Sequence, residues 1–149
     1  HKVADGENVW HRMGDVGYLD ELDRFWFCGR KAHRVITREG IRFTIPCEAI
    51  ANGDPAIYRS ALVGIGPSDN RIPVIVAEPW PEAWPANKRA RAELINRLKR
   101  RLADHRLTQG IEHLLLRRRL PVDIRHNSKI FRERLAPWAA RKLKGIVPK

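Results

Sequence analysis

The sequence predicts a small α+β domain, an antiparallel three-stranded sheet packed by helices, with a β-hairpin in front of it. Three observations carry that prediction. Residues 58–66 and 72–78 are apolar, β-rich runs separated by Pro67-Ser68-Asp69-Asn70, a turn sequence with a mechanism. From Asn87 to about residue 107, Leu94, Ile95, Leu98 and Leu102 recur at helical spacing behind a capping residue. The chain has 149 residues, 43% of them hydrophobic, enough for one packed core.

The elements follow in order. Residues 16–19 and 25–28 are short apolar runs around the polar turn Asp20-Glu21-Leu22-Asp23-Arg24, which predicts a hairpin. Gly29-Arg30-Lys31-Ala32-His33 lacks periodicity and reads as a connection. Residues 34–37 and 41–45 flank Arg38-Glu39-Gly40, a second hairpin with Gly40 free to take a positive φ. Pro46 suits a first helical position and Glu48 a first turn, predicting a short helix over 46–52 that Gly53-Asp54-Pro55 stops. Residues 79–86, with three prolines and two tryptophans, form a break. Residues 112–116 are the candidate third strand. A basic helix over 130–144 is expected to bend or break near Pro137.

Composition excludes several classes. No apolar run approaches the roughly 18–20 residues of a membrane span. Two cysteines, Cys28 and Cys47, make no disulfide framework, so a reducing, cytoplasmic setting is expected. No two of the six histidines pair with each other or with cysteine at a zinc-ligand spacing, so no metal site is expected. No Gly-x-Ser-x-Gly is present, and Cys47 beside Pro46 reads as a small core residue. The net charge of +12 is uneven: residues 1–85 hold 10 Lys/Arg against 12 Asp/Glu, residues 86–149 hold 19 against 5. That asymmetry suits an anionic partner, and the basic stretch 88–101 with Arg117-Arg118-Arg119 could neutralise nucleic-acid phosphates. Trp and Phe fall mostly outside the basic runs, so the stacking platform of a single-strand binder is not expected. A basic nucleic-acid-binding module and a stand-alone interaction domain are the readings of another class.

Three separated segments say more together. They are His11-Arg12-Met13-Gly14-Asp15 with Gly17-Tyr18-Leu19-Asp20, then Phe27-Cys28-Gly29-Arg30, then Asn127-Ser128-Lys129-Ile130-Phe131-Arg132. In this order they resemble the adenylate-forming superfamily of acyl-CoA synthetases, peptide-synthetase adenylation domains and luciferase. Alone, Asp15 reads as a turn carboxylate, Arg30 as a solvated charge at a hairpin end, and Lys129 as one more basic residue. The resemblance implies that Asp15 accepts the hydroxyls of the AMP ribose and that Arg30 touches the ribose and phosphate region. It implies that Lys129 is the lysine that swings over the active site, a compact charge suited to charge building at an α-phosphate. Gly40 and Arg42 resemble the hairpin that faces the active site in the family's second conformation. Pro46 and Glu48 resemble its Pro-x-Glu helix start and read as structural.

Within the superfamily, the stretches 26–35, 45–50 and 123–132 look like the β-lactone synthetases of bacterial long-chain olefin biosynthesis. The resemblance implies ATP-dependent adenylation, with Mg²⁺, of a long-chain 2-alkyl-3-hydroxy acid, then displacement of AMP by the 3-hydroxyl without CoA. It implies that residues 1–31 finish a large AMP-binding domain and that residues 32–149 are its C-terminal lid. The partners implied are ATP and AMP, the hydroxy acid, the chain's own N-terminal domain and other olefin-pathway enzymes, with no specific nucleic acid. Three departures stand out. Ala32 occupies the hinge position where the family usually has Asp or Lys. Ser128 replaces a glycine. The Ser/Thr/Gly phosphate loop is absent from this chain and belongs upstream, so the chain alone is expected to be inactive, with ATP and Mg²⁺ held mainly by the large domain. A long-chain fatty acyl-CoA ligase shares the skeleton and is the alternative of the same class.

Overall fold

The computed structural model describes residues 2–5, 8–11, 13–123, 125 and 129–145. The chain runs β1 (Lys2–Asp5), β2 (Asn8–His11), β3 (Asp15–Leu19), β4 (Phe25–Arg30), β5 (Val35–Thr37), β6 (Gly40–Arg42), α1 (Thr44–Asn52), β7 (Ile57–Ile65), β8 (Ile72–Pro79), α2 (Lys88–Ala103), β9 (His113–Leu116) and α3 (Arg132–Lys142). The first six strands form three antiparallel hairpins, β1–β2, β3–β4 and β5–β6. Both hairpins predicted over 16–28 and 34–45 are present, with Gly40 at a φ of 132°, but the second arm ends at Arg42 because Thr44 and Ile45 already belong to α1.

The apolar runs of β7 and β8 are continuous because both faces of the sheet are covered. With side chains alternating between faces, Ala61, Val63, Ile65, Val74 and Val76 pack with Leu135 and Ala139 of α3. Leu62, Ile75, Ala77, Leu114 and Leu116 pack with Leu94, Leu98 and Leu102 of α2 and with Cys47 and Ala51 of α1. Leu98 and Leu102 are fully buried, and burial of each such side chain contributes about 1.5–3 kcal/mol.

The sheet has three strands in the order β7-β8-β9, but it is mixed, not antiparallel. β7 and β8 pair antiparallel, while β9 pairs parallel to β8, with Val74 opposite His113 and Ala77 opposite Leu116. The reason is the connection: the chain returns through α2 before β9, and a helical crossover delivers the next strand in the same direction. The spacing strand, helix, strand carried that signal.

Helix bounds also moved. α1 begins at Thr44, so Pro46 is its third residue, still in the first turn where a missing N–H costs nothing. Glu48 consequently lies beyond the first turn and is buried. The Asn87 side chain accepts from the Ala90 N–H at 2.9 Å, the predicted cap. α2 stops at Ala103 rather than near 107, because the buried Thr108 hydroxyl donates to the Leu102 carbonyl at 2.6 Å. α3 begins at Arg132 and runs through Pro137 as one helix, with Pro137 on its exposed side.

Candidate active site

Strand β3 begins at Asp15 and β4 ends at Arg30, and the antiparallel register sets the two opposite each other. The Arg30 Nε lies 3.0 Å from the Asp15 carboxylate, and its Nη1 donates to the Met13 carbonyl. The Lys31 N–H donates to the Gly14 carbonyl at 2.8 Å, closing the end of the hairpin. A register shift leaves Cys28 without a cross-strand partner and turns Cys28 and Gly29 inward against α1. Gly29 has a φ of 116°, and a Cβ there would lie 2.3 Å from the Thr44 hydroxyl. Glycine is therefore required beside Arg30 for both backbone conformation and space.

Lys129 comes from the other end of the chain. Its backbone is clamped on both sides: its carbonyl accepts from the Asp123 N–H at 2.9 Å, and the Phe131 N–H donates to the Pro121 carbonyl at 2.8 Å. Val122 and Ile130 form an isolated bridge between them, and Ile130 is buried in the core. The Lys129 side chain is exposed. It lines an open cleft of about 560 Å³ together with Met13, Gly14, Arg30, Lys31, Ala32 and His33. Three cations and no carboxylate line it among the described residues, a setting that favours an anionic ligand. Burial and then the Arg132 charge hold the His33 imidazole below its usual pKa, so its neutral form is favoured.

Of the sequence-predicted residues, Arg30, Ala32 and Lys129 share this cleft, and Asp15 joins it through Arg30. Ala32 is exposed in a single 3₁₀ turn, Lys31–His33, that buries no side chain. Gly40 and Arg42 do not line the cleft. Gly40 is exposed at its hairpin tip, while Arg42 donates to the Leu107 and Gln109 carbonyls at 3.3 and 2.8 Å and so ties the hairpin to the loop after α2. Arg12, Ile124, His126, Asn127 and Ser128, which carry parts of the motifs, lie outside the described residues. Among the described residues no group of three His, Cys, Asp or Glu side chains could hold a metal. Burial pushes the Cys47 thiol up to about 11, and its sulfur sits 3.4 Å from the Leu107 carbonyl, as suits a core residue.

Two features escaped the sequence reading. Arg132 contacts both oxygens of Glu48, at 2.6 and 2.8 Å, and the Leu62 N–H donates to the same carboxylate at 2.8 Å. Burial pushes the Glu48 carboxyl up, and Arg132 and the Leu62 N–H offset only part of that rise. Glu48 stands out on an apolar segment, but Arg132 is one of several charges in 129–134, so nothing in the sequence pairs the two. The separation of aromatic and basic residues is also corrected: Trp84 has the guanidinium groups of Arg91 and Arg118 at 5.9 and 4.6 Å from its ring, and Arg117 lies 4.9 Å from Trp138. Folding brings together what the sequence keeps apart.

No family model matches the chain. It is 47% identical over 140 residues to an olefin β-lactone synthetase of Xanthomonas campestris pv. campestris, covering 93% of this chain and 25% of the relative. It is 42% identical over 144 residues to an olefin β-lactone synthetase of Stenotrophomonas maltophilia, covering 95% and 25%. The chain thus spans about a quarter of the length of these curated relatives. Its fold matches the amide bond synthetase McbA of Marinactinospora thermotolerans with a TM-score of 0.70 at 20% identity, over 91% of this chain and 26% of that one. By sequence this chain resembles part of the olefin β-lactone synthetases, and by fold part of an amide bond synthetase. An anthranilate CoA ligase, AuaEII, solved in complex with anthranoyl-AMP, shares the fold at a TM-score of 0.70 and 18% identity, over 85% of this chain and 24% of that one. The α+β fold of this chain is therefore shared with parts of proteins named as an amide bond synthetase and a CoA ligase. Among the described residues no helix is long and apolar enough to cross a membrane.

Proposed function

We propose that residues 32–149 are the lid of an ATP-dependent acyl-adenylate-forming enzyme and that residues 1–31 complete its large domain. The observation that carries this reading is the cleft itself: Lys129 and the Gly14–Arg30 hairpin end meet there from opposite ends of the chain. In the first step a carboxylate oxygen of the acid attacks the α-phosphorus of ATP. The bond from that phosphorus to the bridging oxygen breaks, and pyrophosphate leaves. The Lys129 ammonium stabilises the charge that builds on the transferring phosphate. Asp15 holds the ribose hydroxyls, and Arg30, already paired with Asp15, keeps that carboxylate oriented. The described residues offer no metal cage, so Mg²⁺ is assigned to the large domain and no step here depends on it.

The identity to olefin β-lactone synthetases supports a long-chain 2-alkyl-3-hydroxy acid as substrate. Its own 3-hydroxyl oxygen attacks the acyl carbon, the acyl–oxygen bond to AMP breaks, the hydroxyl proton is released, and a four-membered lactone closes. An attacking group held in the same molecule acts at a high effective concentration and needs no thiol acceptor.

The test is product analysis of the full-length enzyme with ATP and a 3-hydroxy acid, with and without CoA, alongside Lys129→Ala. Lactone in both reactions and a loss of about 10²–10³ in pyrophosphate release in the variant are expected. Release within threefold of wild type overturns the role of Lys129. A CoA thioester as main product returns the enzyme to the acyl-CoA ligases.

A further inference from the structure

Lysine is hard to aim. Its four-carbon stem is flexible and its charge is a point, so a fold controls its ammonium chiefly by controlling where its backbone sits. The backbone at Lys129 is held by the bridge between Val122 and Ile130 and by two main-chain hydrogen bonds. Past Phe131, α3 begins with Arg132, whose Nη2 contacts both oxygens of a carboxylate 84 residues away in sequence, that of Glu48. Glu48 is 6% exposed, so this is a buried ion pair. The same carboxylate accepts the Leu62 N–H from β7, an outer strand of its sheet. The start of α3 is thereby fixed to α1 and to the sheet edge through one group.

Stability alone explains this poorly. A buried ion pair recovers little more than its desolvation cost, and apolar side chains of similar size often do as well or better. The pair is also imperfect, since Arg132 Nε is buried without a hydrogen-bond partner. What a pair of charges contributes that apolar packing does not is a direction and a register. We propose that Glu48, acting through Arg132, is a positioning residue that sets the reach of Lys129 into the cleft. Neither side chain touches substrate.

This inference rests on the role given to Lys129 above, and the experiment separates the two. Pyrophosphate release by the full-length enzyme is measured at saturating ATP and hydroxy acid for Glu48→Gln, Lys129→Ala and the double variant. Glutamine keeps an oxygen for the Leu62 N–H but removes the charge that orients Arg132. Glu48→Gln is expected to lower kcat about ten- to hundredfold with the KM for ATP unchanged, the scale of a misplacement near 1 Å. In the Lys129→Ala background it is expected to lower the residual rate less than threefold, because there is no ammonium left to misplace. A purely structural role lowers both backgrounds by the same factor, and that result overturns the proposal, as does a kcat within threefold of wild type for Glu48→Gln. If Lys129→Ala is itself neutral, the reading of the active site fails and this inference falls with it. Arg132→Lys, which keeps a cation against the buried carboxylate but loses the fixed fork, supplies the same cycle with the same outcomes if Glu48→Gln does not fold.

Discussion

Asp15 and Arg30 are joined by one ion pair whose side chains are 36% and 47% exposed. Pairs this wet contribute about 0–1 kcal/mol to folding, so their value lies in what they hold. Asp15→Ala should leave the thermal midpoint nearly unchanged. It should raise the ATP KM of the full-length enzyme about 10- to 150-fold, the worth of charge-assisted hydrogen bonds of about 1.5–3 kcal/mol. An unchanged ATP KM would return Asp15 to a turn carboxylate. His33 makes a prediction with a definite sign. Burial comes first and Arg132 second in disfavouring its charged form, Arg30 and Lys129 add to this, and Glu133 opposes. The unfolded chain takes that proton near pH 6.5, so stability is intact above that pH and is lost as pH falls below it, until the folded pKa is passed. An NMR titration of the His33 ring should show a midpoint below 6.5, and one at or above it refutes the assignment.

At the scale of elements, the end of α2 decides how β9 enters the sheet. Thr108 is fully buried, and its hydroxyl donates to the Leu102 and His105 carbonyls, closing the helix. Thr108→Val keeps the shape and removes the donor, leaving the Leu102 carbonyl only the long 3.5 Å bond from the His105 N–H. The expected cost is about 1–3 kcal/mol, read as a fall in thermal midpoint that Thr108→Ser largely avoids. Equal midpoints for the two variants would mean that packing alone ends the helix. The sequence pattern ran on to about 107 because Arg106 and Leu107 suit a helix. A hydroxyl bond made from beyond the helix is not a periodic signal.

For the whole molecule, the 3₁₀ turn at Ala32 carries the chain from the β3–β4 hairpin to the β5–β6 hairpin and the elements that follow. Extended residues flank it, Arg30 with a ψ of 137° and Arg34 with a ψ of 144°, and none of its three residues is fully buried, so rotation there would part β4 from α1, where Cys28 and Gly29 pack, without opening the three-stranded sheet. An Asp or Lys at such a hinge can make different contacts in two domain arrangements and bias them, whereas alanine cannot. If the hydroxyl acceptor is already in the substrate, no second arrangement for a thiol is needed. Ala32→Asp should leave lactone formation within threefold of wild type, and added CoA should not accelerate turnover. A large gain in thioester formation from Ala32→Asp would show that the hinge residue chooses the acceptor.

The sequence by itself determined the residue types and the local elements. Apolar β-rich runs on either side of a turn sequence gave β7 and β8, Asn87 gave the start of α2, and the spaced segments around Asp15, Arg30 and Lys129 pointed to adenylate-forming chemistry. These are short-range properties, since capping, turn chemistry and motif chemistry depend on neighbours along the chain. Tertiary structure decided the rest. It made β9 parallel, because the crossover through α2 fixes the direction in which the strand arrives. It set Arg91 and Arg118 against the Trp84 ring, and it brought Lys129 to the cleft beside Arg30. It paired Glu48 with Arg132, because a carboxylate buried under the sheet edge needs a cation and only folding selects which of 29 lysines and arginines can reach it.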